Sequence, residues 1–246
     1  MENRLKVVKN SVVEYQYQFR CYTEPTVLSS LHPSWYTHDD EQEVRDRVWH
    51  IENGAWIFDV GAAYGSYTLA ALAQGAEKTF SWSLEGGIDE LTEVELLKES
   101  LALNGWQDRA RLFNTGLYSR DGWLDVMSQQ FYSIAPSLEE RVGKPIFKVS
   151  KLDTWLEDFI AEGFDFSVSR PYWLKLDVEG AEVEVLKGAE NLIKTLRPKI
   201  SVENHTFKDT SIPERVRQLV ESHGYQHIET VPHGVVSHSF YLPLKL

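Results

Sequence analysis

From residue 55 onward, short apolar runs alternate with longer stretches whose apolar positions recur every three or four residues, which predicts strands alternating with helices. Residues 57–60 form a buried-type strand. A small-residue helix through Thr68, Leu69, Ala71 and Leu72 follows, with Gly75 placed to stop it. Phe80, Trp82 and Leu84 alternate as a second strand, and Ile88, Leu91, Val94, Leu97 and Leu101 then fall at helical spacing before Gly105. A third strand is predicted over 110–115, and Asp121-Gly122 between 117–119 and 123–126 predicts a hairpin. Residues 128–145, with Phe131, Tyr132, Pro136 and Gly143, show no period and read as a long loop of the kind that serves as a lid.

The second half repeats the alternation. Ser150 with Asp153 has the spacing of a capping box that opens a helix through Leu152, Trp155, Leu156 and Phe159. A strand over 172–176 comes next. Ala181, Val185, Ala189, Leu192 and Leu196 then predict one helix, ended by Arg197-Pro198. The chain finishes with a strand over 199–203, a helix opened by a second box at Ser211 and Glu214 and ended at Gly224, and two strand-like runs about Pro232-His233-Gly234. Together these predict an α/β fold: a mostly parallel sheet with right-handed crossovers and a C-terminal antiparallel pair, binding ligands at the carboxyl ends of its strands.

Composition narrows the reading. A chain of 246 residues suits one sizeable domain, taken here as 51–246, with residues 1–50 an N-terminal extension or cap on the core. Asp plus Glu number 37 against 25 Lys plus Arg, a net charge of −12 that repels phosphate backbones and anionic lipid, so neither nucleic acid nor membrane is expected as a partner. Cys21 is the one cysteine, which rules out an internal disulfide and a thiolate zinc site and suits a reducing compartment. With no apolar leader and no run of 18 apolar residues, the expected location is the cytoplasm.

The most informative local feature is the turn after the first strand, where Asp59, Gly61 and Gly65 stand in the spacing D-x-G-x-x-x-G. Glycines there permit positive φ and close approach of a ligand, and Glu85, about 20 residues on at the end of the second strand, is placed to accept the hydroxyls of a ribose. An adenosine-bearing cofactor is the expected occupant. Asp59, Glu85, Asp177 and Glu203 all fall at one edge of the predicted sheet. Lys175, Asp177 and Glu179 alternate along a strand end; burying three charges costs several kcal/mol unless they pair, coordinate something or emerge at the edge. Asp177 is there the candidate to steer a nucleophile, accept its proton or bind a metal, and His205, which titrates near neutral pH, is the rival base. His223 and His227 have metal-like spacing, but Gly224 interrupts the helix between them, so chance is the better reading.

Four ordered blocks resemble the FkbM-type S-adenosylmethionine-dependent methyltransferases: Phe-Asp-Val-Gly-Ala-Ala-Tyr-Gly at 58–65, Leu-Asp-Thr-Trp-Leu at 152–156, Leu-Lys-Leu-Asp-Val-Glu-Gly-Ala-Glu-Val-Glu-Val-Leu-Lys-Gly-Ala at 174–189, and Arg-Pro-Lys-Ile-Ser-Val-Glu-Asn-His at 197–205. The third block is the most specific. The resemblance implies a Rossmann-like class I methyltransferase with a seven-stranded sheet, S-adenosylmethionine as cofactor, and transfer to a hydroxyl of a sugar, glycan or natural-product-like small molecule. It implies Asp59, Gly61, Ala62, Ala63, Tyr64 and Gly65 as the methionine-side turn, Glu85 as ribose acceptor followed by Gly86, and Asp177 beside the methyl donor. Asn114, Thr115 and Gly116 border the adenine on analogy of fold. Asp177, Glu203 and Asn204 are similar to the acid, acid and Asn set that holds Mg²⁺ in catechol-type O-methyltransferases, so a divalent cation is a candidate cofactor. The chain departs from the family pattern at Ala63, where Asn is usual, and at Gly86, where Pro is common. An NAD-type dehydrogenase and a catalytically silent module on the same fold are the competing readings; the usual G-x-G-x-x-G of the former is absent.

Overall fold

The computed structural model describes residues 6–9, 20–23, 44, 47–84, 93–128, 130–134, 136–144, 146–167, 169–206, 209–233 and 236–245. Its strands are β1 (Lys6–Lys9), β2 (Arg20–Thr23), β3 (Trp56–Val60), β4 (Lys78–Ser83), β5 (Ala110–Asn114), β6 (Gly116–Leu117), β7 (Gly122–Asp125), β8 (Gln130–Tyr132), β9 (Ile146–Ser150), β10 (Tyr172–Leu176), β11 (Lys199–His205), β12 (Tyr225–His233) and β13 (Val236–Pro243). Its helices are α1 (Ser66–Gln74), α2 (Glu93–Asn104), α3 (Leu138–Arg141), α4 (Leu152–Ala161), α5 (Glu182–Lys187), α6 (Glu190–Leu196) and α7 (Ile212–Ser222).

β3 and β10 lie at the centre of a seven-stranded sheet of order β12-β13-β11-β10-β3-β4-β5. All five residues of each are buried, as expected of parallel strands covered on both faces. The pairs β11–β10, β10–β3, β3–β4 and β4–β5 are parallel, while β13 runs antiparallel to both β11 and β12. Side chains of β3 alternate between two cores. Trp56, Phe58 and Val60 join Phe159 of α4, Val185 of α5, Leu192 of α6 and Val216 of α7; Ile57 joins Leu69 and Leu72 of α1, Leu97 of α2 and Trp173. Val44, Val48 and Trp49 belong to the second core, where the Trp49 ring meets Trp173 edge-on at 5.0 Å.

The structure departs from the sequence reading in five places. Residues 181–196 form two helices, not one: a Cβ at Gly188 would lie 2.1 Å from the Tyr118 carbonyl oxygen, and the chain breaks there into α5 and α6. The capping box at Ser150 and Asp153 does not form. Ser150 Oγ instead accepts from Trp155 Nε1 at 2.6 Å, and the buried Asp153 carboxylate accepts the Asn191 and Leu192 N–H groups at 3.0 and 2.9 Å, capping α6. Ser211 likewise makes no side-chain cap; its hydroxyl donates to Asp209 Oδ1. The loop over 128–145 contains β8 and α3, and the hairpin expected at Asp121-Gly122 is absent, because β7 pairs with β8 and β9 rather than β6 in the order β6-β9-β7-β8. Asp153→Ala is expected to cost about 2–3 kcal/mol, since it strips two charge-assisted hydrogen bonds from a buried helix start. Urea denaturation of the variant checks this, and Asp153→Asn, which keeps one acceptor oxygen, should recover part of the loss.

Candidate functional site

A polar row crosses the apolar sheet. Register sets Ser81 on β4, Asp59 on β3, Lys175 on β10 and Ser201 on β11 side by side, and all four are buried. Buried polar groups cost free energy unless satisfied, so the row must find its own partners. The Thr68 hydroxyl of α1 donates to Asp59 Oδ2 at 2.6 Å and lies 2.7 Å from Ser81 Oγ; its one proton being given to Asp59, Ser81 donates to Thr68. Burial pushes the Asp59 carboxyl above its usual range, with Lys175 opposing the shift.

Lys175 carries the row to the strand ends. Its ammonium donates to Asp177 Oδ2 at 3.1 Å and to the Gly61 carbonyl at 3.4 Å, lies 3.9 Å from Asp59 Oδ1, and sits 4.5 Å from the centre of the Tyr67 ring. Burial works against the charge of Lys175, but Asp177, Asp59 and Glu203 outweigh it and hold the ammonium above its ordinary value. Burial also works against the Asp177 carboxylate; the Lys175 charge and hydrogen bond more than offset it, so Asp177 stays ionised.

The glycine turn abuts this pair. Gly61 has φ of +80°, and a Cβ there would lie 1.6 Å from the Asp177 carbonyl oxygen, so only glycine lets β3 and β10 end side by side. Gly61 and Ala62 both donate their N–H to the Trp82 carbonyl, tying the turn to β4. The space a Gly65 side chain would need is filled by Leu97 of α2, so Gly65 serves helix packing. Ala63 stands at φ of +46°, a region that Asn tolerates better than Ala. That explains why the resemblance leads one to expect Asn at this position.

A cavity of about 780 Å³ opens over the strand ends, lined by Gly61, Ala63, Leu84, Thr115, Gly116 and Asp177 among others. Of the residues expected around a cofactor, these glycine-turn, β5-edge and β10-edge positions do converge. Asp59 does not reach the cavity; it braces the turn from within the core. Ala62 is buried in the core, Tyr64 and Asn114 are off the cavity wall, and Thr115 lines it while its hydroxyl donates to the Lys148 carbonyl. Glu85 and Gly86 lie outside the described residues, as do Trp35, Tyr36 and His38, the aromatic stretch of residues 1–50 whose sequence reads as packing onto the core rather than as a lid over an acceptor pocket.

Behind Asp177 lies an acid and imidazole cluster. His205 is 4% exposed; its Nδ1 is 2.7 Å from Glu182 Oε1, and its Nε2 is 3.7 Å from Asp177 Oδ1, 3.6 Å from Glu203 Oε1 and 3.6 Å from Glu179 Oε2. Burial disfavours the imidazolium, yet the Glu182 hydrogen bond and the fields of Asp177, Glu179 and Glu182 outweigh it and raise the ring to about 8. Asn204, expected as a metal ligand, is turned away: strand alternation sets it opposite Glu203 and His205, where its amide donates to the Ser237 carbonyl and the Ser239 hydroxyl at 3.0 Å each. His223 ends α7 and His227 bonds Thr230 from β12, so the pair has no shared site. The sequence reading missed Glu182, the fully buried partner of His205. As the first residue of α5 it passed for an ordinary acid at a helix start.

A seven-stranded sheet with an antiparallel closing pair, a glycine turn at the end of β3 and an acid at the end of β10 define a class I methyltransferase. The match to the methyltransferase FkbM domain runs over residues 59–227, more than half of the chain, and the chain belongs to that family. Membership implies S-adenosylmethionine as the methyl donor. Among solved structures the chain is similar to a methyltransferase FkbM from Methylobacillus flagellatus KT, with 16% identity, a TM-score of 0.53, and coverage of 88% of this chain and 54% of that one. It is similar also to an S-adenosylmethionine-dependent methyltransferase described from Streptococcus mutans, at 9% identity and a TM-score of 0.51, over 97% of this chain and 55% of that one. The chain thus spans about half the length of these two proteins, and at such identities they speak for the fold alone. No protein with a curated description matches the sequence. Among the described residues no helix is long and apolar enough to cross a membrane.

Proposed function

We propose that the protein transfers a methyl group from S-adenosylmethionine to a hydroxyl of a sugar, glycan or natural-product-like small molecule. The observation that carries this reading is Asp177, an ionised carboxylate on the cavity wall whose backbone touches the glycine turn and whose charge is held by Lys175. The turn at Gly61–Gly65 takes the methionine end of the donor, and Thr115 and Gly116 border its adenine. Glu85 remains our candidate for the ribose. Asp177 is the catalytic residue: it accepts the hydrogen bond of the acceptor hydroxyl and takes its proton. The oxygen forms the new O–C bond as the methyl C–S bond breaks, and that electron pair returns to sulfur, neutralising the sulfonium. Positioning supplies most of the acceleration, since the sulfonium is already activated. His205, held by Glu182 behind Asp177, is a positioning residue whose charge favours the ionised carboxylate from its far side.

The net charge of −12 favours a small acceptor over a phosphate backbone, and the single Cys21 fits the cytoplasm. Titration calorimetry tests the donor. Binding of adenosylmethionine and adenosylhomocysteine, with no heat from NAD, is expected; binding of NAD alone would establish the dehydrogenase reading, and binding of none of the three the silent module. Methyl uptake by a panel of sugars and phenols then tests the acceptor.

A further inference from the structure

We propose that Asp177, Glu203 and His205 bind one divalent first-row transition-metal ion, of the class of Mn²⁺, Fe²⁺ or Co²⁺, at the strand ends behind the cavity. Their donor atoms lie within 4.8 Å of one another. The Nε2 separations of 3.7 Å to Asp177 Oδ1 and 3.6 Å to Glu203 Oε1 are too long for hydrogen bonds. They approach the spacing of ligands round an ion, since bonds of about 2.1 Å set neighbouring donors about 3.0–3.5 Å apart. A small inward movement of two side chains closes the shell.

The second observation is the buttress behind the imidazole. Glu182 Oε1 lies 2.7 Å from Nδ1 and also accepts the Gly180 N–H at 3.0 Å. With Nδ1 held on a carboxylate, the Nε2 proton is the one a metal displaces, and the carboxylate fixes the ring and raises the basicity of that ligand. Glu182 is fully buried, so its placement is dictated by the core rather than by solvent. Charge points the same way: Asp177, Glu182 and Glu203 converge on one imidazole, with Lys175 beside Asp177 and the His238 ring 3.6 Å from Glu203 Oε2. A dication in place of the Nε2 proton would balance that excess. Replacement of the expected Asn204 oxygen by an imidazole nitrogen moves the preference from Mg²⁺ toward metals that take mixed nitrogen and oxygen ligands. Three protein ligands leave positions for water or an acceptor oxygen. The inference rests on reading this edge as the acceptor end of the site; in the metal-loaded state the ion would orient Asp177 and draw that oxygen in.

The test is Mn²⁺ titration of the chelator-treated full chain, followed by the loss of the free-ion electron paramagnetic resonance signal. One equivalent should bind. His205→Gln and Glu203→Gln should each weaken binding about a hundredfold or more, Glu182→Gln about 10–100-fold, and a tenfold excess of Mg²⁺ should not displace the ion. Should a variant fold poorly, Mn²⁺ should still broaden the imidazole resonances of His205 and its neighbour His238 in the unmodified protein beyond detection. No binding at millimolar Mn²⁺, or binding untouched in folded His205→Gln, overturns the proposal. Calorimetry with adenosylhomocysteine on the metal-free protein tests the methyltransferase reading separately, so the two can fail independently.

Discussion

Asp177→Asn is expected to lower turnover by about 10²–10⁴-fold while adenosylmethionine affinity changes by no more than several-fold. The reasoning starts from where the side chain sits. Its Oδ2 accepts from Lys175 and its Oδ1 faces His205, so the carboxylate is held from two sides and offers its remaining lone pairs to the cavity. Asparagine keeps the shape and one acceptor oxygen for Lys175, which limits structural damage. It removes the charge that receives the hydroxyl proton. Cofactor contacts from the glycine turn and from Thr115 and Gly116 are not touched. Single-turnover methyl transfer with parallel calorimetry separates the two effects, and unchanged turnover would remove Asp177 from the mechanism. Asp177→Ala is a poorer test, because it deprives the buried Lys175 of its nearest counterion and unpaired buried charge costs several kcal/mol.

How far the fold was legible depended on whether its causes were local. β3 and β10 read clearly because a strand covered on both faces must be apolar throughout, and the closing pair read clearly from its turn residues. The helix caps did not. Ser150 and Asp153 have the right spacing for a box, but spacing cannot tell which helix a carboxylate caps. Asp153 reaches α6, while Asp121 accepts the Lys151 N–H at 3.0 Å and the Thr154 hydroxyl at 3.2 Å, capping α4 from the segment before β7. The Asp121-Gly122 signal therefore had another cause: the aspartate is a cap, and a Cβ at Gly122 would strike the Phe131 ring at 2.3 Å. The break at Gly188 likewise depends on a carbonyl from residue 118. At the site the residue types were legible and their directions were not. Asp59 looked like a ligand-facing acid and is a core brace; Asn204 and His205 are adjacent in sequence, and a one-residue alternation decides which of them joins Asp177. Of the three alternating charges, Lys175 pairs with Asp177 and Asp59 while Glu179 emerges toward solvent.

The second large effect is expected at Gly61, where replacement by alanine should abolish adenosylmethionine binding and lower stability by about 2–5 kcal/mol. Two independent costs meet there. A residue with a Cβ at φ of +80° loses about 1–2 kcal/mol to left-handed strain. The methyl group must also displace the Asp177 carbonyl from 1.6 Å, and overpacking of that kind costs about 1–3 kcal/mol when backbone has to move. The movement has nowhere harmless to go. Asp177 N–H donates to the Val60 carbonyl, and Gly61 N–H donates to Trp82, so parting the turn from β10 strains the ladder joining three central strands. Lys175 would lose the Gly61 carbonyl, and the glycine turn and Asp177 would no longer face the same cavity. Gly65→Ala provides the control: its Cβ would meet only the flexible end of Leu97, at 2.2 Å from Cδ1, so it should destabilise yet leave a weakened but measurable cofactor heat. If Gly61→Ala binds adenosylhomocysteine as well as Gly65→Ala does, the close approach of β3 and β10 is not what shapes the site.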